Sequence, residues 1–197
     1  MKRIIRPCSK NLRLLAVMLG VALLLCVPTT LRSAEQTSLR RYELPAHGSL
    51  DLLVPQSWRD EVSTARRDLP PTIKLRPSQG GAFLILITPL WSVTNEPGFN
   101  AVEKLRALME RQRDAVAPET VEQRLVIREL QGAEAVGYYF AGTDKNPKPG
   151  EYQRMLQASV GVGDLLLSVT VLSQPEASQA VQGALSMLKQ ARHRRPV

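Results

Sequence analysis

Few side chains in this chain are equipped for chemistry, and their spacing argues against most of it. There are 2 histidines in 197 residues, His47 and His193. His47 stands in Pro45-Ala46-His47-Gly48, turn chemistry in which an imidazole is expected to be solvated or capping rather than a general base. His193 falls in a basic tail. The 2 cysteines, Cys8 and Cys26, both lie in the first segment discussed below. Beyond it there is no thiolate nucleophile, no disulfide and no cysteine metal ligand. One usable imidazole without a cysteine is too few ligands for zinc. No G-x-S-x-G, Gly-rich phosphate loop or H-E-x-x-H is present. Gly161-Val-Gly163 approaches a hairpin rather than a helix, so it is not a nucleotide loop. Asp144, Asn146 and Glu151 offer oxygens, but the intervening lysines and prolines and the non-EF-hand spacing argue against calcium. No catalytic residue, metal or cofactor is expected, and the chain reads as a non-enzyme.

Binding chemistry is easier to place. Trp91 lies in one loop, and Tyr138, Tyr139 and Tyr152 flank another that carries Asp144, Lys145 and Lys148. Aromatics beside a Pro-rich, Lys-bearing loop make an interaction patch. The competing reading packs the tyrosines against helices with only their hydroxyls wet.

The elements that must position these residues are legible in outline. Arg40–Leu44 and Ser49–Val54 read as a hairpin, with Leu50, Leu52 and Val54 on one face. Trp58 is expected to plug the core edge. Arg59–Pro71 is charged and reads as a loop. Thr72–Arg76 and Ala82–Thr88 read as strands; the apolar run Phe83-Leu-Ile-Leu-Ile87 predicts one covered on both faces. A helix is predicted from Asn100, with Glu103 closing a capping box, to Pro118; Leu105, Leu108 and Met109 form its apolar stripe. Arg124–Leu130, Ala135–Gly142, Tyr152–Val162 and Leu165–Ser173 read as strands, the last two joined tightly at Gly163-Asp164. Ser173 and Glu176 make a second capping box before a helix bearing Ala180, Ala184, Leu185 and Leu188 on one face. Hairpin-joined strands with helices set apart indicate α+β: a largely antiparallel sheet of about six to eight strands with two main helices.

The first 34 residues have the layout of a secretory signal peptide. Lys2, Arg3, Arg6, Lys10 and Arg13 precede an uncharged run from Leu14 to Val27, followed by a polar stretch ending in small residues. The run is shorter than the ~20 apolar residues that span a bilayer, so cleavage is favoured over a retained anchor. Leu25 before Cys26 argues against a lipid attachment site. The whole chain has 26 basic and 18 acidic residues; removing the six basic residues of this segment leaves 20 against 18. The pI of about 9.9 therefore reports the signal, and nucleic acid is not expected as a partner. A thiol-free exported chain suggests the periplasm. The expected organisation is a signal peptide over 1–34, one sandwich domain over 35–192 and a frayed basic tail over 193–197.

Tyr42-Glu-Leu-Pro, Gly48-Ser-Leu-Asp-Leu, Val54-Pro and Trp58, then Gly137-Tyr-Tyr-Phe, Thr143-Asp-Lys, Pro149-Gly-Glu-Tyr and the Gly-Asp turn into Leu165-Leu-Leu-Ser-Val-Thr-Val-Leu, together resemble PsbP/Mog1-like proteins. The likeness is to exported bacterial members without an assigned function. It implies an α/β/α sandwich and an accessory, partner-binding role. The expected function is a non-enzymatic exported protein that binds a protein or envelope component; the alternative is a small apolar ligand or lipid held between sheet and helix.

Overall fold

The computed structural model describes residues 35–64, 69–94 and 96–196; the expected signal peptide lies outside them. Ten strands are described: β1 (Thr37–Glu43), β2 (Ser49–Pro55), β3 (Trp58–Ser63), β4 (Thr72–Pro77), β5 (Phe83–Leu90), β6 (Arg128–Gln131), β7 (Ala135–Thr143), β8 (Arg154–Val162), β9 (Leu165–Ser173) and β10 (Arg192–Arg194). Helix α1 (Val102–Val116) follows β5 and α2 (Ser178–Lys189) follows β9. Seven strands form one sheet in the order β3-β4-β5-β9-β8-β7-β6, and β1-β2-β10 form a second, smaller sheet. Every pairing in both is antiparallel. Among the described residues no helix is long and apolar enough to cross a membrane.

Alternation in the strands builds two cores. Phe83, Ile85 and Ile87 of β5, Leu156, Ala158 and Val160 of β8, and Val169 and Val171 of β9 all point to one face. That face is closed by α2 through Ala184, Leu185 and Leu188 and by the small sheet through Leu50, Leu52 and Val54. Trp58 is 5% exposed and lies 4.9 Å from the Phe83 ring, the packing role expected of it. On the opposite face Leu105 and Met109 of α1 meet Tyr138, Phe140, Leu125 and Leu166. The result is the α+β sandwich expected from the sequence. One detail differs: Leu84 and Leu86 of β5 are only partly buried, because α1 packs over β7 and β8.

Four local expectations are overturned by long-range contacts. Arg59–Ser63 is strand rather than loop; it is an edge strand, largely exposed on both faces, so it carries no apolar alternation. Arg124–Ile127 is not strand, and Leu125 packs beneath α1 instead. Neither capping box forms. The first residue before α1 is Ala101, with no side-chain cap, and buried Ser173 stays in β9. Asn100 donates instead through Nδ2 to Gly163 O (2.8 Å) and Leu165 O (2.9 Å), tying the start of α1 to the β8–β9 turn.

The fourth is the tail. Arg192, His193 and Arg194 pair with Asp51, Leu50 and Ser49 of β2 rather than fraying. The reason is charge matching across the chain. Arg192 faces Glu134, Arg194 reaches Asp51 (3.2 Å), and Arg195 takes both oxygens of Asp164 (2.7 and 2.9 Å). Asp51 is only 2% exposed and also accepts two bonds from Arg41 (2.8 and 3.1 Å). These arginines hold its carboxyl below the usual carboxylate range, Arg41 foremost. Residues 192–196 thus form a strap across two turns. Each turn has a glycine in the left-handed region, Gly48 (φ 73°) and Gly163 (φ 56°). A Cβ at Gly48 would stand 1.9 Å from Arg194 O, so the strap closes only over glycine there.

Candidate functional site

The strap forms one wall of a cleft of about 390 Å³. The β1–β2 turn supplies His47, the loop after β5 supplies Trp91, Ser92 and Glu96, Asn100 leads into α1, and the β8–β9 turn supplies Asp164. The His47 and Trp91 rings are stacked, with centroids 4.2 Å apart and planes at 23°. The loop is held at both ends: Ser92 Oγ accepts from the Glu96 N–H (2.7 Å), and Asn100 is the clamp already described. Lys104 on α1 pairs with Glu96, and Arg195 on the strap pairs with Asp164. The Arg195 fork holds the Asp164 carboxyl below the usual range.

Both histidines meet here, which the sequence reading did not foresee. His193 Nδ1 accepts the Asp164 N–H (3.2 Å), so Nε2 carries the proton and donates to His47 O (2.8 Å). Both nitrogens of that ring are spent on joining two turns. The hint was the run of basic residues around His193, which finds an acid partner at three of its positions. Among the described residues no three His, Cys, Asp or Glu side chains cluster closely enough to hold a metal ion.

The seven residues picked from sequence do not form one site. Trp91 follows Leu90, which pairs with Leu166 at the start of β9, whereas Thr143 and Arg154, which bracket the Asp144 loop, align with Ser173 at its end. At about 3.4 Å per residue the two lie roughly 25 Å apart. Tyr138 is buried on the α1 face, with the Arg106 guanidinium 5.6 Å from its ring centre. Tyr139 packs on the opposite core. Asp144, Lys145 and Lys148 are exposed and Tyr152 is half-buried. Their loop is tied by its own bonds: Asp144 Oδ1 accepts the Asn146 N–H (2.8 Å), and Lys145 Nζ donates to Pro118 O (2.9 Å).

Beside that loop is a second cleft of about 380 Å³ between α2 and the sheet. Met155, Leu156 and Val181 give it apolar walls, and Glu122 and Arg154 line it too. Burial pushes the Glu122 carboxyl up, but bonds from the Thr143 N–H and hydroxyl (both 2.8 Å) prevail and hold it below its ordinary value.

No family model and no curated protein matches this sequence. Solved structures do match by fold. A Bacteroides thetaiotaomicron protein known by its crystal structure is similar with a TM-score of 0.52 at 8% identity, over 74% of this chain. This chain spans 45% of the length of that one. The solution structure of cyanobacterial PsbP (CyanoP) from Synechocystis is similar with a TM-score of 0.49 at 12% identity, over 80% of this chain and 93% of that one. A likeness at 8% identity speaks to fold alone, and the fold is the α+β sandwich expected from the sequence.

Proposed function

We propose that this chain is a non-catalytic accessory protein of the periplasm that binds an envelope component through the cleft between the β5–α1 loop and the strap. The observation that carries the reading is the state of the cleft's polar groups. Its loop is pinned at both ends, which favours binding by lowering the ordering cost. Its best-placed imidazole, His193, has both nitrogens committed to backbone, which argues against general base work. Half-buried Trp91 supplies the kind of aromatic anchor that binding sites favour.

A photoreactive residue at Ser92 tests this in envelope extracts. A crosslinked product that disappears when Trp91→Ala is added supports the reading. Absence of any product overturns it, and turnover in a substrate screen would point to catalysis instead. The cleft between α2 and the sheet favours a second reading, a small apolar ligand or lipid held by Met155, Leu156 and Val181. Native mass spectrometry of the purified protein tests it by showing bound or free mass.

A further inference from the structure

We infer that the ligand of the Trp91–Asn100–Asp164 cleft is a neutral saccharide of one or two rings, of the kind an envelope glycan presents. The inference rests on the binding reading above and names its ligand class.

Charge is the first argument. Glu96 is matched by Lys104 and Asp164 by Arg195. No acid lining the cleft among the described residues is left without a cationic partner. With its acids already matched, the cleft has no surplus charge to attract a charged ligand, and a neutral one leaves both pairs in place.

Hydrogen-bonding capacity is the second. Asn100 spends Nδ2 on Gly163 O and Leu165 O, so its amide oxygen is what remains to offer. A carboxylate has about four acceptor sites. Asp164 uses two on Arg195, and Glu96 makes one bond, to Lys104. Ser92 Oγ accepts from Glu96 N and keeps its own O–H to give. The Trp91 indole N–H has no partner among the described residues. The cleft is thus rich in acceptors, with a donor or two, and carries no surplus charge. Vicinal hydroxyls, each a donor and an acceptor, satisfy that pattern without bringing charge.

Shape and size complete the case. His47 and Trp91 line the cleft; the inner faces of the pair are spent on each other, and an outer face offers the negative π-surface that suits the C–H face of a pyranose ring. A volume of about 390 Å³ sits near the lower end of the ~300–1,000 Å³ of small-molecule clefts, suiting one or two sugar rings better than a long acyl chain.

The test is a ¹⁵N NMR titration of the purified protein with glucose, N-acetylglucosamine, maltose, cellobiose and, as a charged control, glucuronate. The expected result is a saturable shift of the Trp91 indole N–H and of the Asn100 and Asp164 resonances by at least one neutral sugar, with Trp58 unmoved. Trp91→Ala should weaken it by about tenfold or more. His47→Ala, which keeps the backbone carbonyl that His193 uses, should also weaken it while leaving the fold intact. No shift from any neutral sugar at about 10 mM, above the weak millimolar end of the affinity scale, overturns the inference. So do shifts confined to the Asp144–Tyr152 loop, and tighter binding of glucuronate than of glucose. If sugars fail while the Ser92 crosslink persists, the ligand class falls and the binding reading stands; if both fail, both fall.

Discussion

Replacing His193 with alanine removes a side chain whose two ring nitrogens join the β1–β2 turn to the β8–β9 turn, and leaves the backbone in place. Each lost bond is neutral and contributes about 1 kcal/mol net. Both partners, His47 O and Asp164 N, lie near the surface, so water replaces the imidazole and no buried orphan is created. The hydrogen bonds therefore account for about 2 kcal/mol. What remains of the strap is a short backbone pairing, the exposed Arg192–Glu134 and Arg195–Asp164 ion pairs, each worth at most about 1 kcal/mol, and the Arg194 bond to buried Asp51. Those act against an ordering cost of about 1–2 kcal/mol per residue, so the strap should fray once its anchor is gone. For a domain of this size about 2 kcal/mol lowers the thermal midpoint by about 4–8 °C. Circular dichroism reads the midpoint, and hydrogen exchange along Ser49–Asp51, where alternate amides face β10, reads the strap directly. A midpoint within about 1 °C of the parent, with exchange unchanged, would refute the reasoning and leave backbone pairing as the sole anchor.

Gly48→Ala imposes a left-handed residue, at about 1–2 kcal/mol, and drives a Cβ toward Arg194 O; urea unfolding should show a loss of about 2–4 kcal/mol with the overpacking included. Phe140→Ala empties a site that is 0% exposed beneath α1 and should cost about 3–5 kcal/mol in the same assay; a loss below ~1 kcal/mol would mean the helix collapses freely onto the sheet. Asp51 has its folded pKa depressed, first by Arg41. Its contribution is complete above the unfolded value near 3.9 and is lost as pH falls through the folded one. Asp51→Asn should therefore lower stability at neutral pH and flatten the acid limb of a stability–pH profile, and an unchanged acid limb would discount the pair.

Elements whose burial follows from their own alternation were readable from the residues. Leu50, Leu52 and Val54 lie inward as their spacing requires, and Gly163-Asp164 turns where a tight hairpin demands it. Elements defined by a distant partner were not. Edge strand β3 is charged and wet on both faces, so its only strand signal is the pairing with β4. Asn100 and Ser173 have cap-forming chemistry, but the β8–β9 turn takes the first and burial in β9 the second. The candidate site failed in the same way. Tyr138 and Tyr139 are neighbours in sequence, yet the strand pleat sends them to opposite cores. The cleft joins residues 47, 91, 100, 164 and 193, which no local window contains. His193 looked idle because its partners are a carbonyl and an amide, and neither leaves a mark in sequence.

The strap also sets an order of events in folding. Arg194 and Asp51 are separated by 143 positions, and His193 and His47 by 146. The β1–β2 hairpin can form as soon as it is made, but its third strand does not yet exist. A further 143 positions must be synthesised before Asp51 meets Arg194 and the small sheet is complete. Contacts of such range close slowly. Until then β2 keeps an unpaired edge and the inner face of the large sheet lacks part of its cover, a state prone to pairing with other chains.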